Sequence, residues 1–199
     1  TSTGQDGRGL ELAFFLLLLA VLIGAIAGFV GLMGRSLAMT ELGYPAAAIS
    51  IAFALTFAVS LPLRPLIGWL SDRVGRKRLM AVCYTAGALG LLGLAVSESL
   101  WQFLLSAAIM GISYGAEAVG SALVTDLVPA PSLGLGMSLY GATAFAAGIL
   151  GFAGTGHAIQ GLGMTTTLIL AVSLQLAAVV LLIPIRVPRR QGSALENGA

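Results

Sequence analysis

An all-α, polytopic membrane bundle is the fold class this sequence predicts, and three observations predict it. Asp, Glu, Lys and Arg make up only 9% of the 199 residues, against roughly 25% in an ordinary soluble domain. Apolar residues make up 58% and the mean hydropathy is +1.00. Eighteen charges cannot cover a water-facing surface around that much apolar chain. The apolar residues also gather into six runs, each long enough to cross ~30 Å of hydrocarbon, for which about 20 residues are needed. This composition excludes a soluble enzyme, a nucleic-acid binder and a disordered tail.

In order, the expected spans are Leu10–Met33, Ala46–Ile67, Leu79–Val96, Leu100–Val124, Leu133–Ala153 and Thr165–Ile185. Membrane-barrel strands would alternate apolar and polar residues, whereas Ala13–Ile23 is solidly apolar and reads as helix. The first span is too long for a secretory signal, carries Glu11 near its start and is followed by more spans. Residue 1 is Thr rather than Met, which implies a processed, recombinant or partial chain. With six spans, both termini share a side. Arg8, Arg64, Arg73, Arg76, Lys77, Arg78, Arg186, Arg189 and Arg190 fall on that side and only Arg35 on the other, so both ends are expected in the cytoplasm of a cell (plasma or inner) membrane. The division is a tail over 1–9, a transmembrane domain over 10–185 and a second tail over 186–199. The lone cysteine, Cys83, excludes an intrachain disulfide, and the lone histidine, His157, excludes a His-pair metal site. No cofactor motif is visible and none is expected.

Glycines recur at helical spacing, as at Gly24, Gly28, Gly31 and Gly34 in the first span and Gly111, Gly115 and Gly120 in the fourth. Small residues let helix backbones approach in lipid, where the hydrophobic drive between helices is weak. Glycine stripes in spans one and four fit two repeated three-helix units, a common way to build a transporter half.

The link between spans two and three reads Gly68-Trp69-Leu70-Ser71-Asp72-Arg73-Val74-Gly75-Arg76-Lys77-Arg78. Gly75 permits a positive φ, and Gly68 is expected to let the end of span two approach another helix. Asp72 is an acid among cations, suited to cap a helix or pair with an arginine. The run fits G-x-L-x-D-R-x-G-R-[RK] at Gly68, Leu70, Asp72, Arg73, Gly75, Arg76 and Lys77, and it resembles the link between the second and third helices of the major facilitator superfamily. That resemblance implies one six-helix half of a major-facilitator bundle, with Asp72, Arg73 and Arg76 forming a cytoplasmic latch between two halves. It also implies a partner for Asp126, at the end of span four, among Arg73, Arg76 and Arg78. The sequence departs from the pattern at Ala107 and Ala108, where many members carry an arginine. It departs again at Gly151-Phe152, where exporters often show Gly-Pro. Both departures weaken a drug/proton antiport reading, and they leave open which half this is.

Glu117 is the charge most clearly inside a span. A carboxylate there is costly unless paired, hydrated or protonated. Its helical neighbours Ser113, Tyr114, Gly120 and Ser121 form a modestly polar face, so Glu117 is a candidate proton or substrate-contact site. Arg64, between Pro62 and Pro65, is expected to snorkel to the cytoplasmic surface, with pairing to an acid as the alternative and the prolines kinking the helix. Arg35 and Glu41 are expected at the outer interface. Gly111-Ile112-Ser113-Tyr114-Gly115 reads G-x-S-x-G, but a serine protease needs a histidine base in reach. His157, expected beyond span five, supplies none, and no enzyme activity is expected. The function expected is half of a secondary transporter moving a small solute by rocking. A non-transporting scaffold subunit of a larger membrane complex is the alternative. The partners are the lipid bilayer and either a second half (covalent, an identical copy or a different chain) or such a complex. The small-molecule substrate is unspecified, and no nucleic acid is expected.

Overall fold

In a computed structural model of the chain, residues 3–185 are described, with side chains from Glu11 onward. The cations Arg8, Arg186, Arg189 and Arg190 therefore lie outside the described side chains. The helices are α1 (Thr3–Glu41), α2 (Ala46–Val74), α3 (Arg76–Ala95), α4 (Leu100–Ser113), α5 (Gly115–Leu127), α6 (Leu133–Leu162) and α7 (Met164–Leu182). A short 3₁₀ turn over Ala130–Ser132 precedes α6. Helices α4 and α5 together form one span, Leu100–Leu127, giving the six expected crossings.

The order of the spans matches the expectation; their ends do not. The first span runs on to Glu41, eight residues past Met33, and takes Arg35 into the helix. The second runs uninterrupted through Pro62 and Pro65 to Val74, taking in Asp72 and Arg73. The expected basic loop is thus a single non-helical residue, Gly75, at φ 103°. The fifth span continues to Leu162, so His157 lies inside a helix rather than beyond it. Apolar runs mark the hydrocarbon edge, whereas backbone hydrogen bonds continue past that edge wherever no residue breaks them. Breaks come at Gly43, Gly75 and Gly163, all with positive φ, where a side chain would be strained, and also after Ala95 and Leu127, where no such glycine stands.

The fourth span departs from one regular helix at Tyr114, the residue between α4 and α5. Glycines on either side let α2 press against it. A Cβ at Gly111 would stand 2.8 Å from the Thr56 carbonyl oxygen, and one at Gly115 would overlap Ile67. Gly31 and Gly34 likewise admit Met110 and Leu168. Gly68 does not behave as expected, since nothing described lies within 4 Å of the place a Cβ would take there.

Helix α1 packs mainly on α7 and α6; α3 packs on α4 and α7; α2 packs on α4. This pattern survives exchange of span one with four, two with five and three with six, which is the signature of two three-helix units. The apolar core is split into two. One cluster holds Leu17, Met80, Leu123 and Leu182 towards the end that carries the α2–α3 turn. The other holds Val30, Leu91, Phe103 and Leu168 towards the opposite end. Spans two and five are the least enclosed. Helix α2 is built inside out, burying Ala52, Thr56, Ser60, Ile67 and Ser71 while exposing Phe53, Phe57 and Leu61.

Candidate functional site

Two groups of charged residues stand out, one at the end of the bundle that carries the α2–α3 turn and one at mid-span. At the first of these the turn at Gly75 places Asp72 and Arg76 four residues apart on successive helices. Arg76 donates from Nε and Nη2 to Asp72 Oδ1 at 3.3 and 3.1 Å. Its Nη1 lies 2.9 Å from Asp126 Oδ2 and donates to the Ala122 carbonyl at 2.6 Å. One guanidinium therefore ties the α2–α3 turn to the end of α5, and of Arg73, Arg76 and Arg78 it is Arg76 that pairs with Asp126. Lys77 donates to the carbonyls of Ile183 and Ile185, closing the end of α7 onto the same turn. Arg73 joins no ion pair among the described residues; its guanidinium stacks 3.9 Å over the ring of Trp69. Sequence reasoning gave Lys77 only a place in the motif, because its acceptors lie more than a hundred residues on.

At mid-span, Glu117 Oε2 accepts from Arg64 Nη2 at 2.7 Å. Arg64 is therefore paired rather than snorkelling, because the long α2 lies against span four at this depth. The two side chains are 42% and 58% exposed. They face a groove of about 560 Å³ also lined by Ser121, Tyr140 and Gly141. Glu117 lies ten residues before Leu127, about 15 Å from the end of the span. The Tyr140 hydroxyl donates to the Glu117 carbonyl at 3.0 Å. Its ring fits where Gly120 has no side chain.

Behind Glu117 the groove meets a cavity of about 170 Å³, lined by Gly28, Tyr84, Ser113, Tyr114 and Gln175 among others. Glu117, Tyr140, Phe29 and Ala144 border both spaces. The expected polar face of span four is thus divided, with Ser121 in the groove and Ser113 and Tyr114 in the cavity. Tyr84, Tyr140 and Gln175 were missed by sequence reasoning. Gln175 carried a usable signal as the one amide within the apolar run of the last span. Arg35 is not interfacial: it is 2% exposed, with neither terminal nitrogen partnered. Ser113 donates to the Met110 carbonyl of its own helix at 2.7 Å, which is a packing role. Among the described residues no group of His, Cys, Asp and Glu could hold a metal ion.

The chain is similar to the multidrug resistance protein MdtG of Citrobacter koseri, 33% identical over 79 residues, covering 40% of this chain and 20% of that protein. MdtG of Proteus mirabilis is 28% identical over 101 residues, 51% of this chain and 25% of that one. In fold it resembles the crystal structure of the human organic anion transporter MFSD10 (TETRAN), with a TM-score of 0.64 at 22% identity. That match covers 89% of this chain and 46% of the other. The chain spans less than half the length of these relatives' matched proteins. The family model of the Major Facilitator Superfamily matches residues 12–198, and the chain belongs to that superfamily.

Proposed function

We propose that this chain is one six-helix half of a secondary transporter, moving a small organic solute as it rocks against a second six-helix half. That half is a covalent continuation, an identical copy or a different chain. The observation that carries the reading is the Arg64–Glu117 pair. An ion pair at mid-span, open on one side to a groove, is costly in lipid and useful beside an aqueous path. The family's transport role and the multidrug and organic-anion names of the relatives agree with it.

In this reading Asp72, Arg73, Gly75, Arg76, Lys77 and Asp126 form the cytoplasmic latch, and Gly68 offers the companion half a close approach, since its own half leaves that face open. Glu117 is the proton or substrate-contact group.

Reconstitution into liposomes tests this. The purified chain with its companion carries solute, and the rate depends on pH. Glu117→Gln flattens that dependence; an unchanged profile removes Glu117 from the mechanism. A stable large assembly with no flux for any solute replaces the transporter reading with the scaffold subunit.

A further inference from the structure

Gln175 is a buried amide that the bundle leaves incomplete. It sits in the last span at 2% exposure, and its Oε1 accepts no hydrogen bond. Two hydroxyls in the same cavity wall are engaged elsewhere: Ser113 donates to the Met110 carbonyl and Tyr140 to the Glu117 carbonyl. An amide oxygen buried without a donor is unfavourable, and buried polar groups of native proteins nearly always find a partner.

The backbone is shaped to admit that amide. A Cβ at Gly87 on α3 would overlap Gln175 Nε2. Two more glycines admit rings in the same way. A Cβ at Gly24 would stand 2.7 Å from Tyr84 Cε1, and one at Gly120 would overlap the Tyr140 hydroxyl. Gln175, Tyr84 and Tyr140 all line the cavity of about 170 Å³, together with Phe29 and Tyr114. The Tyr114 hydroxyl is likewise buried without a partner. An apolar cavity of about 150 Å³ takes up one benzene ring, so this one has room for a single ring. It meets the groove at Phe29, Glu117, Tyr140 and Ala144, which gives a solute a way in. The one charged side chain among its lining residues, Glu117, is already paired with Arg64. An ion inside would therefore lack a counter-charge, which is costly away from water. An uncharged molecule meets no such penalty.

We propose that this cavity binds a small uncharged aromatic molecule carrying a hydrogen-bond donor, its ring among Phe29, Tyr84 and Tyr140 and its donor on Gln175 Oε1. The site deepens the transporter reading by naming a substrate class, and it rests on that reading only for the consequence of binding.

The probe is para-fluorophenol, uncharged at neutral pH and followed by fluorine NMR. It is added to the purified chain, with any companion that co-purifies, in lipid nanodiscs. Empty nanodiscs give the background from partition into lipid. The protein adds a saturable bound signal. With the methyl of para-fluorotoluene in place of the hydroxyl, the same shape binds more weakly, by about two- to tenfold, the range for one lost hydrogen bond. The anion para-fluorobenzoate and the cation para-fluorobenzylamine bind more weakly still. Gln175→Leu weakens para-fluorophenol by the same two- to tenfold or so and brings it level with para-fluorotoluene. It leaves the unliganded protein as stable or more so, because it deletes a buried group without a partner. Gly28 lines the cavity, and a Cβ there meets nothing within 4 Å. Gly28→Leu therefore fills the space and abolishes the bound signal, which keeps the test decisive if Gln175→Leu fails to fold. The proposal is overturned if para-fluorophenol shows no saturable signal, the cavity then holding water only. It is overturned too if para-fluorotoluene or either ion binds as well, or if a folded Gln175→Leu or Gly28→Leu variant binds as the parent does. Saturable binding without flux of any solute would spare the site and sink the transporter reading. Flux of other solutes without para-fluorophenol binding would do the reverse.

Discussion

At Arg76 three interactions converge on one guanidinium: Asp72, Asp126 and the Ala122 carbonyl. Asp126 is the more buried acid, at 11% exposure of its side chain, and loses more when the pair is broken. Arg76→Ala and Asp126→Asn are each expected to destabilise the bundle. The double variant should lose less than the two losses added, with a coupling of about 0.5–3 kcal/mol read from a melting cycle in detergent. Glycines give a second contrast at this scale. Gly111→Ala must push back the Thr56 backbone and should cost about 1–3 kcal/mol. Gly28→Ala meets nothing within 4 Å and should leave stability unchanged by the same melt. The Arg76 cluster was legible in sequence because its motif carries acid and cation within five residues. The Arg64–Glu117 pair was not, because 53 residues separate its members and a lone charge near a helix end reads equally well as an anchor.

Individual spans show the same division. Hydropathy gives their number and order, because lipid demands a long apolar run from every crossing. It fails at their ends, where Arg35 and Asp72 look like loop residues although their backbones are still helical. That failure hid the buried state of Arg35, which follows from a helix eight residues longer than its apolar run. Outward faces are a further element-level property. Leu61 on α2 and Ile149 on α6 are 75% and 71% exposed on the two least enclosed spans. A photo-crosslinking residue at either position should capture a companion polypeptide, whereas one at Leu89 on α3 should capture lipid. Capture of lipid at all three positions would count against a companion half on that face.

Across the whole molecule, exchange of the two three-helix units leaves the neighbour pattern intact. Span one therefore relates to five and six as span four does to two and three. Spans one and four both line the cavity that meets the Glu117 groove, with Gly24 and Gly28 from one and Tyr114 and Glu117 from the other. The cavity is thus assembled from both units, and neither three-helix unit alone contains it.

That α1 rests mainly on α6 and α7 bears on how the protein is made. Synthesis delivers the first hairpin long before its chief neighbours, at about 5–20 residues per second. During that interval the guanidinium of Arg35 has no enclosing wall from α7, and translocation machinery or a membrane chaperone has to shelter it. A chain stopped after the fifth helix should be caught in that unfinished condition and degraded, a fate visible in a pulse-chase experiment.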